Sequence, residues 1–316
     1  MKALLGTIAL GLLAAAATAQ SPAPPVFGSQ LDLVYVTVTV LDPAGRVVPD
    51  LPASAFEVRE DGRPRPVSVF SHPGDEGAAL DVALLLDTSG SMTAELQSAQ
   101  RAALAVLEKI PRLRRRSVIS FDTDIRFWRT DADPMSLLSD IVAARPPNGA
   151  SAIRSAVLAG IDDLVRHGSG RGVLILLSDG VDFGSAVTET QMFRAIESAN
   201  VGIYPVPFIA AAGWSSGPAN YRPGTVGRTG GGFPTTPDTL AARSFLTRLA
   251  DASGGLVLLP AGHGLAGALD RLIEELASQY VLGFAPAAAP GKSHRLEVRV
   301  ADRRLKVRHR ERYRSR

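Results

Sequence analysis

Three short stretches of this 316-residue chain concentrate hard oxygen donors. Asp87-Thr88-Ser89-Gly90-Ser91 sets one carboxylate and two hydroxyls at alternate positions, and Gly90 lets the backbone turn so that Ser89 and Ser91 can face one point. Ser151 follows Asn148-Gly149-Ala150, and Asp179 stands in Ser178-Asp179-Gly180. Asp87, Ser89, Ser91, Ser151 and Asp179 together offer only oxygen. Such a set suits octahedral coordination of Mg2+, with Ca2+ or Mn2+ as alternatives. Singly, each has a plainer reading: Asp87 or Ser151 as a helix cap, Ser-Asp-Gly as a turn. The D-x-S-x-S spacing directly after an apolar run, joined by an Asp at the end of a second such run, raises the metal reading above these.

Other chemistries are excluded or weakened. The chain has no Cys, which removes disulfides, thiolate zinc sites, iron–sulfur clusters and a Cys nucleophile. His72, His167, His263, His294 and His309 are scattered with no i, i+4 pair, against a His-based metal site. No G-x-S-x-G elbow, P-loop or strand-borne G-x-G-x-x-G occurs, and Gly230-Gly231-Gly232 lies in a loop. No His, Lys or Glu stands in a recognisable base position. The chain is therefore expected to bind rather than to catalyse, with a metal-independent scaffold of the cell envelope, or a Mg2+-dependent hydrolase, as the lesser alternatives.

The elements that must position these residues follow from periodicity. Ala79–Leu86 and Val173–Leu177 are near-continuous apolar runs, as strands buried on both faces of a parallel sheet require. Ser117–Phe121 and Val201–Pro207 read as further strands of that sheet, Ile125–Trp128 as a short edge strand and Gly255–Leu259 as another strand. Helical spacing marks Leu96–Ile110, Met135–Ala143, Ser151–His167, Gln191–Asn200, Leu240–Ala252 and Leu265–Ser278. Strand and helix alternate from residue 78 to 278, which predicts a doubly wound, mostly parallel α/β domain of Rossmann-like type. Ligands of such sheets sit at the carboxyl ends of the strands, where all three oxygen-rich turns fall.

Here the sequence resembles a known family. Asp87-Thr88-Ser89-Gly90-Ser91 matches the DxSxS motif of von Willebrand factor type A (VWFA) domains, Ser178-Asp179-Gly180 matches the later S-D-G element, and Asn148–Ile153 is similar to the segment that supplies the family's Thr, here Ser151. The resemblance spans about Leu80–Leu276. It implies a metal-ion-dependent adhesion site that binds Mg2+ and leaves one coordination position for an Asp or Glu carboxylate of a protein partner. Phe56–Phe70 and Gln279–Arg314 resemble the flanks of secreted acidobacterial VWFA-related proteins.

The flanks read as β structure. Leu31–Leu41 alternates and is rich in β-branched residues, Ala55–Glu60 leads into the hairpin signal Asp61-Gly62, and Pro66–Ser71 is its expected return strand. Gln279–Phe284, His294–Val300 and Arg304–His309 are three more strands. Residues 31–75 and 279–316 are each too small for a core, so the two are expected to pair into one sandwich with the α/β domain (78–278) inserted in a loop of it. The net charge of +3 conceals an excess in Arg295–Arg316, where ten Lys or Arg face three acids. Their alternation with Leu296, Val298 and Val300 marks the solvent face of strands, and no nucleic-acid partner is expected.

Residues 1–19 have the form of a signal peptide cleaved after Ala19, followed by a Pro-rich linker over 20–30. The mature chain is then expected to be secreted or periplasmic, without a membrane span. Asp182 is expected to cap the next turn rather than to orient a metal-bound water. Finally, Ala211–Asp238 is long for a loop and rich in Gly. It carries Trp214, Tyr221, Arg222, Arg228 and Phe233, residue types suited to partner contact, and is expected to emerge beside the ion.

Overall fold

The computed structural model describes residues 33–75, 79–89, 107–128, 137, 140–141, 149–168, 171–207, 237–260, 264–287 and 291–315. The expected signal peptide and linker lie outside them, as do Ser91, Asn148 and residues 208–236. All that follows concerns the described residues.

Val34–Leu41 (β1) buries Val36, Val38 and Val40, as its alternation dictates. Phe56–Glu60 (β2) turns through Asp61 and Gly62, with φ of 48° and 80°, into Arg63–Arg65 (β3). Such a two-residue left-handed turn matches the twist of the strands it joins. Pro66, with no N–H to contribute, ends this hairpin, and Val67–Ser71 (β4) crosses to the opposite sheet. The return strand is thus β3, and the expected assignment of that role to Pro66–Ser71 is corrected.

The chain then enters the α/β unit: Leu80–Asp87 (β5), Leu113–Phe121 (β6), Ile125–Trp128 (β7), Ile153–His167 (α1), Arg171–Ser178 (β8), Glu189–Ser198 (α2), Val201–Pro207 (β9), Pro237–Ser253 (α3) and Gly264–Ala277 (α4). Residues 107–109 and 140–141 are also helical, inside two of the expected helices. The sheet order is β7-β6-β5-β8-β9, parallel except for β7. Leu80, Val82, Leu84 and Leu86 of β5 enter one core layer, with Leu269, Leu272 and Leu276 of α4. Ala83 and Leu85 enter the other, with Ile153, Val157 and Ile161 of α1. Two buried faces explain the near-continuous apolar run of β5. Gly255–Leu259, expected as a strand, is not one. Its backbone passes so close to β9 that a Cβ on Gly255 would lie 1.9 Å from the Ile203 carbonyl oxygen, leaving only the Leu258 N–H to Pro205 C=O bond (2.8 Å) as edge pairing.

Tyr280–Phe284 (β10), Ser293–Val300 (β11), Lys306–Arg308 (β12) and Arg312–Arg314 (β13) complete two four-stranded sheets, ordered β12-β1-β10-β4 and β13-β11-β2-β3. β1 lies between β10 and β12, so strands from the two ends of the chain alternate in the first sheet, and in the second they meet where β2 pairs with β11. Val36, Val38, Val58, Tyr280, Leu282, Leu296 and Val298 form one core between the sheets. The α/β unit is inserted between β4 and β10, which are antiparallel neighbours with Ser71 opposite Val281, so its entry and exit are adjacent. β13 escaped the sequence reading because a three-residue Arg-Tyr-Arg strand carries no repeat.

A buried polar seam joins sandwich to α/β unit. At the end of α4, Glu275 accepts from the Thr39 hydroxyl of β1 (2.5 Å), from Gln279 Nε2 (3.1 Å) and from Arg308 of β12. Gln279 Nε2 also donates to the Tyr204 hydroxyl of β9 (2.7 Å), whose pKa burial pushes up to about 12. Two buried arginines cap helix C-termini, where carbonyls are unpaired and the helix dipole is negative. Arg171 donates to the Leu276 carbonyl (2.7 Å), and Arg310 to that of Ala199 (2.6 Å) at the end of α2 and to that of Tyr35 in β1 (2.6 Å). Asp32–Arg316 accordingly forms one compact unit.

Candidate metal centre

β6 lies on one side of β5 and β8 on the other, so strand order reverses at β5. In open α/β sheets, ligands sit at the carboxyl end of such a strand. Asp87 is the last residue of β5 and is 1% exposed. Its Oδ2 accepts from Ser151 Oγ (2.9 Å) and Ser178 Oγ (2.6 Å), and its Oδ1 from the Ser89 amide (3.0 Å). Burial pushes the Asp87 carboxyl above the usual carboxylate range, against the pull of the Ser178, Ser89 and Ser151 hydroxyls. A carboxylate wrapped in neutral donors, with no cation among the groups that shift it, lies where a positive ion would relieve its burial.

The segment carrying Ser151 is held from below. Ala152 N–H donates to the Asp122 carbonyl (3.0 Å), and Ala150 N–H to Thr123 Oγ1 (3.3 Å). Gly149 has φ of 90°, and a Cβ there would stand 2.6 Å from Thr123 Oγ1, so both backbone conformation and space demand glycine. Ser151 does not cap α1, although helix spacing placed it there. The N-cap is Ala152, which has no side-chain acceptor. Asp182 takes over that role: its Oδ2 accepts from Arg154 N (2.9 Å) and Nε (3.0 Å), while Ser185 Oγ accepts from Ser155 N (3.1 Å). Asp182 Oδ1 also accepts from Ser185 N (3.2 Å), closing its own turn. One carboxylate thus ties the 179–185 loop to the helix that follows Ser151.

Of the five residues expected at the site, Ser89 and Ser151 each bond directly to Asp87. Asp179 is not hydrogen-bonded to them. Its Oδ1 accepts from Val181 N (3.0 Å), and it is half-buried. Ser91 lies outside the described residues, as do Trp214, Tyr221, Arg222, Arg228 and Phe233, so these are not placed. No cluster of three acidic or imidazole side chains suited to an ion occurs among the described residues. The donor set is instead carboxylate plus hydroxyl, which still fits a hard divalent cation.

Ser178 was missed as a site residue. Strand parity could have found it. Leu86 pairs with Leu177, so the next residues along the two parallel strands are Asp87 and Ser178. Leu174 and Leu176 share a core layer with Ala83 and Leu85, the face on which Asp87 also falls by alternation.

Residues 82–181 match the sequence model of the von Willebrand factor type A domain. No protein in a curated set of sequences is significantly similar. Among solved structures, an aerotolerance-related membrane protein from Bacteroides fragilis is 17% identical over 63% of this chain and 98% of its own, with a TM-score of 0.45. A von Willebrand factor type A protein from Catenulispora acidiphila is 13% identical over 89% of this chain and 73% of its own, TM-score 0.45. Proximal thread matrix protein 1 of the mussel byssus, with a zinc-occupied MIDAS motif, is 15% identical over 67% of this chain and 48% of its own, TM-score 0.43. Similarities of this size transfer no function. The sequence match over β5 to β8, together with the parallel sheet and the Asp87 turn at its switch point, identifies this region as a von Willebrand factor type A domain.

Proposed function

We propose that the chain is a secreted or periplasmic binding module. Asp87, Ser89, Ser91, Ser151 and Asp179 hold a divalent cation, Mg2+ first, with Ca2+ or Mn2+ as alternatives. The cation recruits an Asp or Glu carboxylate of a protein partner. The observation that carries this reading is Asp87: a buried carboxylate at the switch point of the sheet, surrounded by hydroxyl donors that can turn their lone pairs to an ion. When bound, the ion supplies the positive charge that a partner carboxylate seeks in a partly dry site. The protein's own residues orient the donors, and Asp182 holds the two donor-bearing segments together.

A non-enzymatic role agrees with the surroundings. The described histidines are engaged elsewhere: His72 against the Phe70 ring, His167 with Asp163, His294 with Asp61, and His309 between Arg310 and Val298. No helix among the described residues is long and apolar enough to cross a membrane. The test is calorimetry with Mg2+ on the wild type and Asp87→Ala, followed by capture of envelope proteins with and without EDTA. Mg2+ binding that Asp87→Ala abolishes, and capture that EDTA abolishes, are expected. Unchanged Mg2+ affinity in Asp87→Ala would refute the site.

A further inference from the structure

Phe183 is 79% exposed. A single apolar side chain on a loose surface loop would need no explanation. This one sits on a loop that is pinned throughout. The Phe183 and Gly184 amides both donate to the Ser151 carbonyl, each at 3.0 Å. Asp182, immediately before it, is fixed by Arg154 and by the Ser185 hydroxyl (2.8 Å), and Ser185 is fixed in turn to the Ser155 amide. A Cβ on Gly184 would come within 3.3 Å of Ala150, so the loop lies flat against the Ser151 segment. The backbone therefore holds an aromatic side chain out in water while bonding directly to a residue of the candidate metal centre.

We propose that Phe183 is the apolar half of the partner-binding surface, and that the partner is an acidic peptide segment whose carboxylate is flanked by a large aliphatic side chain. This rests on the metal-dependent reading above and specifies its partner. A metal-held carboxylate gives orientation but little selectivity, since every Asp or Glu offers the same group. An aromatic anchor on a rigid loop adds selectivity at low cost in conformational entropy, because the loop is ordered before binding.

The experiment uses the full chain and two synthetic probes, the capped peptides Gly-Gly-Glu-Gly-Gly and Gly-Leu-Glu-Leu-Gly. Affinities are measured in saturating Mg2+ and in EDTA, for the wild type, Phe183→Ser and Phe183→Leu. Phe183 is exposed, so neither substitution threatens the fold, and Mg2+ calorimetry on each variant serves as the internal control. The wild type should prefer the Leu-flanked peptide by about tenfold, in Mg2+ only. Phe183→Ser should lose that preference at unchanged Mg2+ affinity, and Phe183→Leu should keep most of it. Equal affinity for the two peptides in the wild type, or a preference that survives Phe183→Ser, overturns the assignment while leaving the metal site standing. Mg2+ binding with no binding of either peptide also overturns it. Absence of Mg2+ binding overturns both readings at once.

Discussion

Asp87→Asn should make the metal-free protein more stable and the metal-loaded protein less so. Among the described residues, the wild-type Asp87 carboxylate is buried among neutral donors: the Ser151, Ser178 and Ser89 hydroxyls and the Ser89 amide. Asn has the same shape, and hydroxyls can either donate to or accept from it. Removing the charge should therefore gain about 1–2 kcal/mol, since neutral donors only partly offset the burial of an ion. That corresponds to a Tm higher by about 3–6 °C in EDTA for a domain of this size. The sign follows from the raised pKa of Asp87. The protonated form is favoured in the fold, so the wild-type deficit is absent at low pH and grows as pH rises through the carboxyl's titration. Mg2+ at about 100 times its Kd stabilises the wild type by about 2.7 kcal/mol, and Asp87→Asn should gain nothing. The melting curves should therefore exchange order between EDTA and Mg2+ in differential scanning calorimetry. A lower Tm for Asp87→Asn in EDTA, or a Mg2+ shift that survives the substitution, would refute the reasoning.

The remaining expectations are briefer. Asp182→Ala removes the acceptor for the Arg154 amide and guanidinium and should cost about 1–2 kcal/mol, as loss of a helix cap does; Mg2+ affinity by calorimetry should fall severalfold, because the Ser151 and Asp179 segments lose their tie. Truncation after Ser278 strips β1 of both neighbours and β2 of β11, and size-exclusion chromatography should show aggregated material instead of a soluble monomer. His309 donates from Nδ1 to the Arg310 carbonyl (2.7 Å) and accepts at Nε2 from the Val298 amide (3.1 Å), and burial lowers its pKa below the ordinary 6.5. The neutral ring is favoured in the fold, so this contribution is full above that value and is lost as pH falls below it. Urea midpoints measured down a pH series should show this loss in the wild type and not in His309→Gln.

The α/β insertion and the shared sandwich were legible because their signals are local or compositional. Near-continuous apolar runs at Leu80–Leu86 and Val173–Leu177 have no other economical home than a sheet covered on both faces. The alternation of Val36, Val38 and Val40 likewise declares one buried face. The contact of Asp87 with Ser89 was legible because the two stand two residues apart on one short segment. Legibility failed where the deciding contact lies far along the chain. Pro66–Ser71 has strand composition, but composition does not say which sheet receives it, and Pro66 sends it across. Gly255–Leu259 has strand composition too, yet an approach to Ile203 set by distant packing leaves it one edge hydrogen bond.

At the centre itself the sequence determined which atoms were on offer: carboxylates and hydroxyls at the ends of two buried strands, and no thiol. Only the tertiary structure decided which of them meet. Register between β5 and β8 sets Ser178 beside Asp87, whereas Asp179, one residue later, has left the strand and bonds within its own turn. The missing cap of α1 is supplied by Asp182, from 28 residues along the chain. The physical reason is the same in each case. A side chain's type and local spacing set its capacity to donate or accept, but its partner is chosen by strand register and by loops that pack only once both layers of the core are formed.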